Sequence, residues 1–356
     1  MRRIIGRRFP SPAASGVAVL ALLVLGGCTG LKTPTIAVDL PEQYNTPDGM
    51  AVAPDGSIVL SMPNFNDDSH PAKMLRIDAD DNVTEIITMP AHPETKKACP
   101  LGVDVGPDGH LYIADNQAFG TSDYKSRLLR VIMHEGKALR CEVLAEGFVM
   151  SNAVSCHGDS VYVTETKMNP DPNAYPLLSG VYRFKLAELN PAMPIVLQRG
   201  GKDPHVICTT TTKNKEWQVG ANGMGFDKAG NMYYCNFGDA QIIKVTFKPD
   251  GSVDKQTVLA EGNGMQSTDG MKVHPVTGDI YVADFLGNAV HKVDANSGAV
   301  TTLARNGLTD GAGGALDKPS EVCIRGNRCY VSNIDLNLDG NKFDKPHTIS
   351  VIELDD

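Results

Sequence analysis

Four polar residues recur at one phase of an internal repeat and together could bind a cation. They are Asp48, Asn152, Asn222 and Asp269, and each stands at the start of a short strand-like segment. Carboxylate and amide oxygens suit a hard cation such as Ca²⁺ better than Zn²⁺. Carboxylates crowded into one place would repel one another unless a cation or protons neutralised them. The alternative for each residue taken singly is a turn, because Asp-Gly and Asn-Gly are common turn dipeptides.

The elements that must position these residues form a sixfold repeat. In each copy a Gly-containing turn precedes a run rich in β-branched and aromatic residues, which is typical of the second strand of a hairpin. These runs are 57–61, 110–115, 160–165, 231–236, 279–284 and 328–333. A third strand follows each run, at 74–77, 128–131, 181–184, 242–245, 289–293 and 349–352. Four strands repeated six times predict an all-β chain folded as a six-bladed β-propeller.

The last repeat lacks a fourth strand, because the sequence ends shortly after its third. Residues 35–38, Thr-Ile-Ala-Val, can supply that strand and close the ring, which removes an open sheet edge. We therefore predict a single propeller domain over residues 34–356.

The repeat also predicts where chemistry can take place. The starts of the first strands converge on the central channel of a propeller, at the face that carries the loops between strands two and three. Loops 63–73, 116–125 and 166–179 are long and could form a lid or a docking surface there. We expect the polar ends of the second strands to add to the channel lining. These ends are Asp115, Glu165, Asn236, Asp284 and Asn333.

Two segments resemble motifs of a known family. Residues 268–273, Thr-Asp-Gly-Met-Lys-Val, are similar to a Pro-Asp-Gly-Met-x-apolar segment of the senescence-marker-protein/gluconolactonase/luciferin-regenerating-enzyme-like (regucalcin-like) family. Residues 222–226, Asn-Gly-Met-Gly-Phe, resemble a second segment of that family. At the level of the fold, this similarity covers the whole chain after residues 1–27. There is also a more distant likeness to paraoxonases and strictosidine synthases.

The resemblance implies a six-bladed propeller with one axial divalent cation. Asp269 and Asn222 would match metal ligands, and Asn152 would match a residue that orients the ligand or substrate. Asp48 stands where the family usually has Glu, so its shorter side chain departs from the pattern. No family-type residue for a sugar lactone can be placed, so the substrate does not transfer.

Hydrolysis of a lactone or other ester is the activity that this resemblance implies. A cation would polarise the substrate carbonyl, and Asp269 would act as the base or as an orienter of water. A small-molecule lactone or ester would be the partner of a monomeric enzyme. The alternative function is a non-catalytic propeller, a lipid-anchored scaffold or ligand-binding module, because fold does not fix function.

A second cation loop is a further hypothesis. Asp335, Asn337 and Asp339 have the spacing that opens a Ca²⁺-binding loop, Asp-x-Asn-x-Asp-Gly. Pro346 replaces the Glu expected at the twelfth position, although Asp344 lies close by, and no flanking helix is predicted. The alternative is a polar loop between strands two and three of the last blade.

The N-terminus resembles an export signal. Four Arg precede a short apolar run and a Leu-Gly-Gly-Cys segment that ends at Cys28, as in a bacterial lipoprotein signal. We predict a signal peptide over residues 1–27, lipidation of Cys28 and a tether over 28–33. The alternative is a plain signal peptide. The protein would be anchored in the cell envelope, at the outer membrane if the host is Gram-negative.

The net charge narrows the possible classes of function, and the cysteines raise the question of disulfide pairing. Removal of residues 1–27, which hold four Arg and no acidic residue, changes the net charge from −9 to −13. This negative charge argues against a nucleic-acid binder. Seven other cysteines remain. Cys323 and Cys329 flank a turn, so they are either cross-strand disulfide partners or two small buried residues.

Overall fold

Short β-strands carry nearly all regular structure in the computed structural model, which describes residues 30–355 apart from 68, 122 and 123. The first strand, β1, covers Thr35–Leu40. One short helix, α1, covers Gln117–Thr121, and 3₁₀ turns cover Leu186–Glu188 and Ala312–Gly314. None of the described helices has the length and apolar character needed to cross a lipid bilayer.

The first three blades follow in chain order. Blade one contains β2 to β5, which cover Met50–Val52, Ile58–Met62, Lys73–Ile77 and Val83–Thr88. Blade two contains β6 to β9, which cover Pro100–Val105, Leu111–Asp115, Ser126–His134 and Lys137–Phe148. Blade three contains β10, β11, β12 and β14, which cover Ser151–His157, Ser160–Glu165, Leu177–Lys185 and Val206–Thr212. The intervening β13, Ile195–Val196, pairs in parallel with β9 and widens blade two.

The other three blades complete the ring. Blade four contains β15 to β18, which cover Ala221–Phe226, Met232–Asn236, Gln241–Phe247 and Val253–Glu261. Blade five contains β19 to β22, which cover Met271–Val273, Ile280–Asp284, Ala289–Val293 and Val300–Arg305. Blade six contains β23, β24, β25 and β1, and its first three strands cover Pro319–Arg325, Arg328–Asn333 and His347–Glu353. The six-bladed propeller predicted from the repeat is confirmed.

The ring closes through the strand that the sequence predicted. Strand β1 pairs antiparallel with β25, from Thr35 opposite Val351 to Leu40 opposite His347. Val38 and Leu40 are buried against residues of blade one. The N-terminal strand therefore joins the last blade to the first.

A tyrosine at the same position of five second strands holds neighbouring blades together. Each of these rings is buried in an apolar cluster shared with the blade that follows; they are Tyr112, Tyr162, Tyr233, Tyr281 and Tyr330. The apolar core is thus divided among the blade interfaces, which suits a second strand that is buried on both faces. The repeated aromatic residue is a packing element of the ring.

The cysteine pair does not form a disulfide. Cys323 lies opposite Tyr330 in the β23–β24 pairing and Cys329 lies opposite Ile324, so the two side chains point to opposite faces of the sheet. Cys323 packs towards blade one and Cys329 towards blade five, and both thiols are free. Of the two alternatives, the structure supports two small buried residues.

Glycines let the first strands, which we call the inner strands, approach one another at the axis. A Cβ added to Gly223 would lie 2.5 Å from the carbonyl oxygen of Asp269, and one added to Gly102 would lie 2.6 Å from that of Asn152. The Gly223 amide donates a 3.1 Å hydrogen bond to the Asp269 carbonyl, and the Gly270 amide donates a 2.7 Å bond to the Ser320 carbonyl. Contacts this close require a residue without a side chain.

Substitution of Gly223 by Ala should therefore destabilise the ring. The new methyl group would collide with the backbone of blade five, and overpacking of this kind costs about 1–3 kcal/mol. Gly225→Ala in the same strand is the matched control, because its Cβ would meet only Val273, at 3.4 Å. We expect Gly225→Ala to change the free energy of unfolding by less than about 1 kcal/mol. Denaturant unfolding of both variants measures the difference, and equal stabilities would contradict the close-approach argument.

Candidate functional site

One cavity at the axis is lined by the same position of all six inner strands. The residues at this position are Asp48, Leu101, Asn152, Asn222, Asp269 and Ser320. The cavity, which we call the axial cavity, has a volume of about 170 Å³. The four polar residues singled out by the sequence thus reach one space, although their roles as ligands stay a prediction. Leu101 and Ser320 give blades two and six a different character at this position.

The two carboxylates of the axial cavity lie in a setting that disfavours their charged forms. Burial raises the pKa of Asp48 to about 7, a hydrogen bond with Ser320 opposes the rise, and nearby Glu321 adds to it. Burial also raises the pKa of Asp269, and the charges of Asp48 and Glu321 raise it further, while a hydrogen bond with Asn222 lowers it. Both side chains are nonetheless partly exposed, because they face the cavity. The pair needs either bound protons or a cation to offset the repulsion.

An ion pair that the sequence analysis did not assign lies beside these carboxylates. The Lys272 ammonium is 2.8 Å from a carboxylate oxygen of Glu321. Burial lowers the pKa of Lys272, but Glu321 and further anions outweigh burial and hold it above its usual value. Lys272 lines a second cavity at the axis, of about 230 Å³, together with the half-buried Asp104. The sequence signal was a lysine inside an inner strand that the repeat predicts to be buried.

The charges around the axis do not cancel. Asp48, Asp104, Asp269 and Glu321 all act on one another or on the single ammonium of Lys272. Four carboxyl groups therefore share one fixed cation among the described residues. A divalent cation beside Asp48 and Asp269 would neutralise most of the remaining negative charge, and oxygen donors of this kind suit Ca²⁺. The residues present fit the group.

The walls of the axial cavity are mainly apolar and come from the loops above the ring. Rings from five different loops take part, and they are Phe65, Phe119, Trp217, Phe237 and Phe285. Phe65 and Phe119 contact each other with their ring centroids 5.0 Å apart. Loops 63–73 and 116–125 therefore cover this face as predicted, whereas loop 166–179 contributes only Thr166 to the lining.

The polar ends of the second strands do not line the axial cavity, which corrects the expectation from the repeat. Each is almost fully buried and binds the chain just before an inner strand or a neighbouring strand. Asp115 accepts a 2.7 Å hydrogen bond from the Cys99 amide, and Asp284 accepts 2.8 Å bonds from the amides of Gln266 and Ser267. These residues position the inner strands.

The three residues of the predicted second cation loop, Asp335, Asn337 and Asp339, do not meet at one point. Asp335 is buried, whereas Asn337 is exposed and Asp339 points away to form a 2.8 Å ion pair with Lys318. The linear spacing requires a loop that wraps around one point, and this loop instead runs along the rim of the axial cavity through Ile334, Leu336 and Leu338. Asp335 meets other carboxylates, Asp317 and Asp344.

Cys28 and the predicted leader, residues 1–27, lie outside the described residues. The bounds of the leader and tether, and the lipidation of Cys28, stay predictions from the sequence.

Glu165 provides a test of the structural role of the second-strand ends. One of its carboxylate oxygens accepts hydrogen bonds from the amides of Val149 and Met150, and burial raises its pKa to about 8. Because the folded pKa lies above the unfolded value, Glu165 contributes stability at low pH that is lost as the pH rises towards 8. Between pH 5 and pH 9 the wild type should lose more than about 1.4 kcal/mol of stability relative to Glu165→Gln.

Glu142→Gln is the control for this measurement of unfolding free energy against pH. Burial raises the pKa of Glu142, but Arg130 and Arg140 outweigh burial and hold it below its usual value. Its contribution is therefore complete above about pH 5, and the difference between wild type and Glu142→Gln should stay constant from pH 5 to pH 9. A constant difference for Glu165→Gln as well would show that Glu165 is charged in the folded protein.

Comparison with known proteins gives similarity at the level of structure. No family model matches the sequence, and no curated protein matches it. An aldose sugar dehydrogenase from Streptomyces coelicolor, solved in its PQQ-bound form, superposes with a TM-score of 0.59 at 15% identity, over 90% of this chain and 98% of that one.

Two further structures belong to the type that the motifs suggested. The calcium-binding protein regucalcin from Agrobacterium tumefaciens has a TM-score of 0.58 at 14% identity, over 90% of this chain and 94% of its own. A gluconolactonase from Xanthomonas campestris has a TM-score of 0.53 at 16% identity, with the same two coverages. At these identities the likeness establishes the fold alone. The chain therefore shares the six-bladed propeller of the gluconolactonases and regucalcin, as the resemblance of its motifs predicted.

Proposed function

We propose that this protein is a divalent-cation-dependent hydrolase of lactones or related esters, with its reaction centre in the axial cavity. The observation that carries the proposal is the meeting of Asp48, Asn222 and Asp269 in one cavity under apolar walls. The gluconolactonase and regucalcin structures, which have the same fold, support it as analogies.

Asp48, Asn222 and Asp269 would hold the cation, most suitably Ca²⁺. When bound, such an ion supplies Lewis-acid polarisation of the substrate carbonyl and stabilises its developing negative charge. Asp269, whose pKa is raised by burial and by Asp48, can accept a proton from an attacking water or orient that water. The Asn222 amide fixes the Asp269 carboxylate, and Asn152 lies on the same cavity where it can orient the substrate.

The redox chemistry of the aldose sugar dehydrogenase is less compatible with this cavity. PQQ is a polycarboxylate, and the described residues that line the axial cavity include no Lys, Arg or His to pair with it. A neutral ester or lactone needs no such cationic partner.

The location remains a proposal from the sequence. A signal over residues 1–27 and a lipid on Cys28 would place the propeller at the cell envelope, where it would meet small esters outside the cytoplasm.

Substitution of Asp269 tests the activity. The full chain, stripped of cations with a chelator, is assayed on alkyl lactones and aryl esters with and without Ca²⁺. We expect Ca²⁺ to restore hydrolysis and Asp269→Asn to lower kcat/KM by about 100-fold or more, because both cation binding and proton transfer would be impaired.

Asp250→Asn is the matched control, because Asp250 also precedes a glycine but lies in an exposed hairpin turn. It should keep wild-type kcat/KM. Background rates in every sample would overturn the hydrolase proposal. Thermal stabilisation by Ca²⁺ without turnover would instead support the ligand-binding propeller.

The aromatic walls predict a preference for apolar substrates. Burial of each methylene of an alkyl chain is worth about 0.8 kcal/mol, so kcat/KM should rise by up to about fourfold per methylene until the cavity is filled. Trp217→Ala should flatten this dependence, because Trp217 lines the cavity. Met193→Ala, at an exposed apolar residue elsewhere, should leave it unchanged. A preference for polyhydroxylated lactones over alkyl lactones would contradict the prediction.

A further inference from the structure

Three carboxylates meet beside the axial cavity at a place separate from Asp48 and Asp269. Asp317 precedes β23, while Asp335 and Asp344 lie in the loop between β24 and β25. One oxygen of each lies within 4.8 Å of those of the other two. Asp317 and Asp335 are only 2% exposed. We call these three residues the acidic cluster.

The acidic cluster has no fixed cation of its own. No Lys or Arg within the described residues forms an ion pair with any of its members. Lys318 follows Asp317 directly, but its ammonium binds Asp339 at 2.8 Å and lies 5.0 Å from the centre of the Phe285 ring. The Lys318 ammonium, which is next to Asp317 in the sequence, therefore does not neutralise the cluster.

The repulsion within the cluster is strong. Burial raises the pKa of Asp335 to about 8, and the neighbouring Asp317 raises it further. Burial also raises the pKa of Asp317, to about 6, although hydrogen bonds with Asn341 and Asp335 oppose the rise, and the nearby Asp344 adds to it. Carboxyl groups held this closely must share protons or bind a cation.

Buried atoms without partners give a second, independent indication. Within the described residues, Oδ1 of Asp317 and Nδ1 of His347 are buried and have no hydrogen-bond partner. His347 is 3% exposed, and its Nδ1 lies 3.9 Å from Oδ2 of Asp335. Burial lowers the pKa of His347, so a neutral imidazole faces the cluster. Buried polar atoms beside these carboxylates that lack a protein partner indicate an ion or a water as the partner.

We propose that Asp317, Asp335 and Asp344 form a second divalent-cation site, and that Ca²⁺ is the ion it takes. Ca–O bonds of about 2.4 Å let one ion reach ligand atoms up to about 4.8 Å apart, and three carboxylates form the oxygen-rich set that Ca²⁺ prefers.

The position of this site gives it a structural role at the rim of the axial cavity. A cation there joins the segment before β23 to the loop that carries Ile334 and Leu336 into the cavity wall. The carbonyl of Asp335 also accepts a 2.7 Å hydrogen bond from the Asn66 side chain in blade one. The site thus fixes the rim where the last blade meets the first.

Calorimetric titration with Ca²⁺ tests the proposal on the chelator-stripped full chain. Asp317→Asn should remove one bound Ca²⁺ per chain and the associated rise in melting temperature. In the chelator it should melt above the wild type, because one member of a repelling set has lost its charge. The folded variant thereby separates loss of a site from loss of structure.

Two control variants, and a titration in a protein that also carries Asp269→Asn, complete the test. Asp310→Asn removes a charge from an exposed position of the same segment, and Asn337→Ala removes an exposed residue of the β24–β25 loop, so both should keep the wild-type number of bound ions. In an Asp269→Asn background the second site should persist, which distinguishes its failure from failure of the axial site. An unchanged number of bound Ca²⁺ ions in Asp317→Asn would overturn the proposal.

Discussion

The rest of the structure depends on how closely the six inner strands approach the axis. Gly102 and Gly223 lie so near the next blade that a methyl group has no room, and backbone hydrogen bonds cross the gap. This approach leaves space only for the side chains that point along the axis into a small cavity. Asp48 and Asp269 are brought into mutual range because the ring closes tightly, whatever chemistry they perform.

Blade six shows how the ring accommodates an exception to this packing. The residue that follows the cavity-lining position is Gly or Ala in five inner strands, whereas in blade six it is Glu321. A Cβ on the neighbouring Gly270 would lie 2.5 Å from a carboxylate oxygen of Glu321, so the absence of a side chain there makes room for the charge. Lys272 lies in β19, two residues after Gly270, and pairs with Glu321. A buried charge of this kind persists only when it is paired.

The sequence was sufficient for the fold because every blade repeats the same local signals. Turn glycines, β-branched runs and the recurrent tyrosine predicted the strands, and the incomplete last repeat predicted that residues 35–38 close the ring. The insertion after β12 was not predictable, because β13 joins blade two through a parallel pairing with β9 that no local pattern encodes. The strand-start residues were found for the same reason as the strands, since their position recurs in each copy.

Sequence spacing failed where the decisive contact is distant along the chain. Asp335, Asn337 and Asp339 match a linear loop pattern, yet Asp335 meets Asp317, because Asp317 precedes β23 and Asp335 follows β24 at the same end of that hairpin. Cys323 and Cys329 flank a turn, yet a register of one residue places them on opposite faces of the sheet. In both cases the spacing along the sequence allowed the predicted contact, but the pairing of β23 with β24 placed the side chains elsewhere.

Asp115 and Asp284, two of the second-strand ends, differ from Asp48, Asp269 and Asp317 in their capacity to accept a further ligand. The oxygens of Asp115 accept hydrogen bonds from the Cys99 amide and the Arg127 guanidinium, and those of Asp284 accept from the amides of Gln266 and Ser267, so both carboxylates have little capacity left for a ligand. Asp48 and Asp269 instead face an open cavity, and Asp317 has a buried oxygen without a partner. A carboxyl group on the axis side of a blade is common to both groups of residues. The capacity to accept a further ligand is what distinguishes a candidate site, because a satisfied carboxylate gains nothing from a cation whereas an unsatisfied one gains its missing partner.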